Sequence, residues 1–163
     1  MGYFEKGNAI QTLVHELKYR NKKELGTYLG KYYGQELKKS ALYQKCDTVI
    51  PVPLHRNKLK RRGYNQSALF GRGIAESLGI KEDEDLLVRN SDTATQTRKS
   101  RMSRWQNVHG IFEVTKKESL KDMNILLVDD VITTGATLEA CACALNEAGA
   151  ASVSIASIGY AAK

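Results

Sequence analysis

One segment constrains this chain more than any other: residues 125–137, which read ILLVDDVITTGAT. A continuous apolar run from Asn124 to Val128 is the pattern of a strand buried on both faces. It closes on two carboxylates, Asp129 and Asp130. The chain then turns through small residues into a helix expected over Thr137–Ala148 and ended by Gly149. In open α/β sheets, ligands sit outside the carboxyl ends of the strands. Backbone N–H groups where a turn enters a helix attract anions. Gly135 lets the backbone approach a phosphate closely, and Thr133, Thr134 and Thr137 add hydroxyl donors. The acidic pair cannot help to hold a phosphate, but it can accept hydrogen bonds from two neighbouring hydroxyls. A phosphate with a vicinal diol beside it is a ribose 5-phosphate.

The rest of the chain supplies a sheet for this loop. Apolar residues at helical spacing predict helices over Asn8–Arg20 and Lys23–Lys39, the second burying Leu25, Tyr28, Leu29, Tyr32, Tyr33 and Leu37. Asp47–Val52 reads as a β-branched strand stopped by Pro53. Asn65 caps a helix expected to reach Ser77, with Leu69, Phe70, Ile74 and Leu78 inward and Gly79 ending it. An acidic turn, Glu82–Asp85, precedes a short strand at Leu86–Val88. Further strands are expected at Ile111–Val114 and Ser152–Ile158. Strands alternating with helices predict an α/β fold with a largely parallel central sheet.

Composition narrows the function. The 163 residues suit a single domain with its own core, and no apolar run nears the roughly 20 residues of a membrane helix. With no signal-peptide pattern at the start, a cytoplasmic chain is expected. Three cysteines, two of them (Cys141 and Cys143) in a predicted helix, argue against a disulfide framework or a four-ligand zinc site. The net charge of +7 suits an anionic partner, a phosphorylated metabolite or a nucleic acid, and equally a merely basic surface. His15, His55 and His109 have no metal-site spacing. Tyr28, Tyr32 and Tyr33 read as core packing, not as a base-stacking platform.

Two segments concentrate the cations. Arg56–Arg62 carries five in seven residues directly after the first strand, a solvated basic loop or turn in the plainest reading. Asn90–Gly110 is polar, basic and poor in periodicity, the mark of a functional or mobile loop. Its stretch Thr95–Val108 holds Arg98, Lys99, Arg101 and Arg104 with Trp105. It reads as a nucleic-acid surface, with Trp105 as a packing residue in the plainest case.

The 125–137 segment resembles the phosphoribosyl-diphosphate (PRPP) binding motif of type I phosphoribosyltransferases at every position. An ordered set of stretches extends the likeness to nearly the whole chain: Leu17–Tyr19, Ile50–Pro53, Arg62–Gln66, Gln96–Asn107 and the Asp129–Asp130 loop. Together they resemble the ComF family of competence-associated proteins, also called GntX-like. The resemblance implies a single type I phosphoribosyltransferase-like domain over residues 1–163. Helices would flank its sheet, with a small hood from the N-terminal helices (residues 1–45) and residues near the C-terminus. It implies Asp129 and Asp130 as the catalytic pair on the ribose, and Thr133, Thr134, Gly135, Ala136 and Thr137 on the 5′-phosphate. Leu54, His55, Arg56 and Arg62 would face the diphosphate, and Arg98, Lys99, Arg101 and Arg104 would sit on a flexible loop. The implied activity is phosphoribosyl transfer with Mg²⁺ carried mostly by PRPP and no protein metal site. A DNA-handling accessory or a PRPP sensor without turnover is the alternative. Implied partners are PRPP or another ribose 5-phosphate, single-stranded DNA and a competence helicase. The four-cysteine zinc module with which many members begin is not expected, since no Cys precedes Cys46.

Overall fold

The apolar run at 125–128 forms the heart of the central strand of a parallel sheet. The computed structural model describes residues 2–3, 13, 16–17, 22–90 and 111–161. Among these, the strands are β1 (Gly2–Tyr3), β2 (Thr48–Pro51), β3 (Lys81–Glu82), β4 (Leu87–Arg89), β5 (Phe112–Val114), β6 (Asn124–Ile132) and β7 (Ser152–Tyr160). The helices are α1 (Lys23–Leu37), α2 (Ala41–Gln44), α3 (Arg56–Arg62), α4 (Gln66–Leu78) and α5 (Ala136–Glu147). The main sheet has five strands in the order β1-β7-β6-β2-β3, every neighbouring pair parallel. β4 and β5 form a separate antiparallel ladder.

Alternation along β6 divides the core in two. Ile125 and Leu127 face Leu138, Cys141 and Leu145 of α5, together with Leu87, Phe112 and Val114 of the small ladder. Leu126 and Val128 face Phe70, Ile74 and Ala75 of α4, with Leu17 beside them. Burial on both faces is what a parallel strand with helical crossovers requires. Pro51 is tolerated in β2 because β3 pairs only with Thr48 and Val49, so no neighbour on that side lacks a donor.

α4 follows its sequence signals. The Asn65 side chain accepts from the Ser67 N–H at 3.1 Å, and Gly79 ends the helix at φ 74°. α1 packs across α4 through a stripe of glycines. Gly26, Gly30 and Gly34 are its buried residues, and Gly30 lies against Phe70 and Gly73 of α4. That stripe corrects the expected tyrosine face. Tyr28 and Tyr32 are 69% and 64% exposed, and only Tyr33 turns inward. Its ring meets Phe70 edge-on at 5.5 Å, and its hydroxyl donates to the Ile158 carbonyl at 3.0 Å.

Other boundaries also move. Glu82, expected to open the acidic turn, instead joins Lys81 in edge strand β3, and β4 lies one residue later than Leu86–Val88. The cations at 56–62 form a helix, not a loop or turn. β6 runs on through the acidic pair to Ile132, and β7 runs on to Tyr160. Of the helix expected over residues 8–20, Leu13, Glu16 and Leu17 are described and helical.

Candidate functional site

The carboxyl ends of β2 and β6 lie side by side. The Val52 N–H donates to the Val128 carbonyl at 2.8 Å, so the chain leaving β2 at Pro53 starts beside Asp129. Asp129 and Asp130 are half-buried. They sit within β6 and not at its end, because Val131 and Ile132 still pair with Gly159 and Tyr160. Asp129 Oδ1 accepts from the Ser67 hydroxyl at 2.9 Å and from the Asp130 N–H at 2.8 Å. Asp130 Oδ1 accepts from the Val131 N–H at 2.7 Å.

Beyond Ile132 the chain turns. Thr133, Thr134, Ala136 and Thr137 are exposed, and Gly135 sits at φ 80° directly before α5. A residue with a Cβ is strained in that left-handed conformation, so glycine makes the turn possible. The first N–H groups of α5 have no intrahelical acceptor. Thr134 Oγ1 takes only a long bond, 3.4 Å, from the Ala136 N–H. An exposed helix N-terminus with uncapped donors favours an anion. The acidic pair therefore lies inside the last part of β6, with this turn directly beyond the strand's end.

Leu54, His55 and Arg56 also leave the carboxyl end of the sheet, but their local roles differ. His55 is the N-cap of α3, its Nδ1 accepting from the Asn57 N–H at 3.2 Å. Arg56 is exposed on the first turn. Arg62 is half-buried and donates to Gln66 Oε1 at 2.7 Å, so it braces the start of α4. Leu54 and Arg56 line a cavity of about 1050 Å³, whereas His55 and Arg62 do not. That cavity is also lined by Lys23, Arg72 and Arg89, with Glu84 and Asp85 opposite in charge. It includes neither the acidic pair nor residues 133–137. Arg98, Lys99, Arg101, Arg104 and Trp105, with His15 and His109, lie outside the described residues. The stretch that carries those cations connects β4 to β5, so it is rooted beside Arg89 and Asn90 at the cavity wall.

Two groups are electrostatically unusual. Glu82 is pushed up to about 7, first by burial and then by Glu84, with Arg72 opposing. Its Oε1 is buried without a hydrogen-bond partner. Burial is the main cause that raises the Cys141 thiol; Asp129 adds to it and Arg89 works against it. Cys141 is thus a core residue, not a nucleophile.

The sequence reading missed Ser67 and the link from Asn65 Nδ2 to the Val52 carbonyl at 3.0 Å. Asn65 was visible as a cap; nothing local in the sequence pairs Ser67 with a residue 62 positions away.

Residues 65–162 match the phosphoribosyl transferase domain family. The chain belongs to that family. The matched region runs from the α4 cap through the acidic pair and the 133–137 turn to the last strand. Among relatives of this phosphoribosyl transferase domain, the DNA utilization protein YhgH of Salmonella typhimurium is 33% identical over 149 residues, 90% of this chain and 65% of that protein. Competence protein ComFC of Bacillus subtilis is 38% identical over 107 residues, 65% of this chain and 41% of that protein. This chain is thus a ComF-family phosphoribosyl transferase domain, spanning just under two thirds of the Salmonella protein's length. The fold matches the glutamine PRPP amidotransferase of B. subtilis, complexed with ADP and GMP, with a TM-score of 0.57. That match has 23% identity and covers 82% of this chain and 26% of the enzyme, a likeness of fold. The architecture is that of type I phosphoribosyltransferases. No helix among the described residues is long and apolar enough to cross a membrane.

Proposed function

We propose that this domain binds PRPP, or another ribose 5-phosphate, at the carboxyl end of β6, and that it transfers the phosphoribosyl group. One observation carries the reading. The acidic pair lies in the last part of the sheet's central strand, and the Gly135 turn into α5 follows directly where that strand ends. The N–H groups of residues 133–137 would hold the 5′-phosphate, with Thr133, Thr134 and Thr137 adding hydroxyls. Asp129 and Asp130 would accept hydrogen bonds from the ribose hydroxyls. Leu54, His55 and Arg56, at the same end of the sheet, would flank the diphosphate. Arg62 would support them by bracing α4. Arg98, Lys99, Arg101 and Arg104 would approach from the β4–β5 connection.

Among the described residues no group of three or more His, Cys, Asp or Glu could hold a metal ion. Mg²⁺ would arrive on PRPP, held chiefly by the ligand's own phosphate and ribose oxygens. It would neutralise charge on the leaving diphosphate. In the reaction a nitrogen lone pair forms a bond to ribose C1, the bond from C1 to the diphosphate oxygen breaks, and the nitrogen loses its proton to solvent. The protein's part is positioning and electrostatic support of the leaving group.

Calorimetry with PRPP and Mg²⁺ tests this reading. Changing Asp129 and Asp130 together to Asn should weaken binding at least tenfold with the fold intact, because charged acceptors outperform neutral ones. An unchanged dissociation constant sinks the ribose assignment.

A DNA-handling role is the second reading. The relatives are named for DNA utilization and competence, and α3 presents Arg56, Lys58, Lys60 and Arg61 exposed on one short helix. Such a surface would pair with phosphates of single-stranded DNA, with or without turnover at the PRPP site.

A further inference from the structure

A polar relay joins the two strand ends that build the site, and its centre is Ser67. The Asn65 side chain donates to the Val52 carbonyl at 3.0 Å and accepts from the Ser67 N–H at 3.1 Å. The Ser67 hydroxyl donates to Asp129 Oδ1 at 2.9 Å. Ser67 is only 4% exposed, so this hydroxyl has little access to water. A buried hydroxyl beside a carboxylate has one proton to give, and here it gives it to the acidic pair.

We propose that Ser67 is a positioning residue that aims the Asp129 carboxylate at the sugar of a bound ribose 5-phosphate. The proposal rests on the ribose 5-phosphate reading above. A carboxylate can rotate about its Cβ–Cγ bond. Two donors, the Ser67 hydroxyl and the Asp130 N–H, converge on Oδ1 and fix that rotation from one side. Pinning Oδ1 dictates where Oδ2 points. Removing the hydroxyl leaves the Asp130 N–H as the donor shown on Oδ1, and that N–H belongs to the adjacent residue, which constrains rotation less.

The relay also explains why the start of α4 is so deeply buried. Gln66 and Ser67 are 1% and 4% exposed, although they open a helix, where water usually serves the first N–H groups. Arg62 holds Gln66 on one side while Asn65 ties the turn to β2 on the other. Ser67 is thus carried on a rigid mount that spans both strand ends. A sugar hydroxyl that meets a fixed carboxylate is recognised strongly. Inorganic phosphate touches only the 133–137 turn in this scheme and is blind to the relay.

The test compares wild type with Ser67→Ala, first confirmed folded by thermal unfolding. Binding of two probes is measured by calorimetry: ribose 5-phosphate and inorganic phosphate. Ser67→Ala should lose about tenfold for ribose 5-phosphate, the order expected for one hydrogen bond to a charged group. Its affinity for phosphate should stay within twofold. Equal losses for both probes would overturn the proposal and leave Ser67 a purely structural residue. A wild type that binds neither probe would sink the ribose reading instead. The positioning claim is then decided by crystal structures of both proteins. An Asp129 carboxylate that keeps its orientation in Ser67→Ala overturns the claim, and one that turns away sustains it.

Discussion

Gly30→Ala should destabilise this protein well beyond an ordinary helix substitution, although alanine is the better helix former. A Cβ built on Gly30 collides with the Phe70 carbonyl oxygen, lies 2.9 Å from the Gly73 Cα and 3.0 Å from the Phe70 carbonyl carbon. All three obstacles are backbone atoms, so no rotamer change can relieve them. The reciprocal contact is equally close: a Cβ on Gly73 meets the Thr27 carbonyl and the Lys31 nitrogen at 2.6 Å. Only separation of α1 from α4 makes room, and that opens the seam covering Phe70 and Ile74. Overpacking of this kind costs roughly 1–3 kcal/mol, and more where backbone must move. Alanine returns about 1 kcal/mol of helix propensity. We expect a net loss of about 2 kcal/mol, the top of that range less the propensity gain, read as a lower urea midpoint at unchanged m-value. Gln35→Ala, on the exposed side of the same helix, should stay within about 0.5 kcal/mol of wild type. Because α4 carries Asn65 and Ser67, ligand binding should weaken in Gly30→Ala as well. A Gly30→Ala protein as stable as wild type would refute the close-packed seam.

Two further outcomes follow from charge. Glu82 has its ordinary value of 4.5 raised to about 7 in the folded protein, so the folded state holds a proton that the unfolded state releases across that window. Stability should therefore fall as pH rises from about 4.5 through 7, and Glu82→Gln should flatten that decline and be the more stable form above pH 7. Denaturation of both proteins at pH 5 and pH 8 checks this, and parallel declines would contradict it. If α3 is a nucleic-acid surface, changing Arg56, Lys58, Lys60 and Arg61 to Gln should weaken single-stranded DNA binding. Each lost phosphate contact should also make the log–log salt slope shallower by about 0.7, as read by fluorescence anisotropy. Wild-type protein that binds no DNA at low salt would remove this role.

The parts of the fold that were legible in the sequence are those set by local chemistry. The apolar run at 125–128 is a buried strand wherever it lies in a parallel sheet, and Asn65 and Gly79 bracket α4 by capping alone. The acidic pair and the Thr-Thr-Gly turn were readable because each position needs a particular chemistry. What was misread depends on partners distant in sequence. β6 passes through Asp129 and Asp130 because Gly159 and Tyr160 pair with its end, which no local pattern reports. β3 is two residues of backbone pairing with no apolar signal. Helical spacing placed Tyr28 and Tyr32 on a common face without saying which face turns inward. Glycines at 26, 30 and 34 took that place, and their four-residue spacing was the signal available. The run of cations at 56–62 resembled a turn, yet the His55 cap and Gly63 at φ 76° bracket it as a helix.

The central claim is that residues 129–137 form a ribose 5-phosphate site, and a crystal structure with PRPP and Mg²⁺ tests it most directly. The 5′-phosphate should lie against the backbone N–H groups of residues 133–137, with the ribose hydroxyls on Asp129 and Asp130 and the diphosphate toward Leu54–Arg56. PRPP bound elsewhere, or a saturated crystal whose 133–137 turn holds no phosphate, would contradict the account.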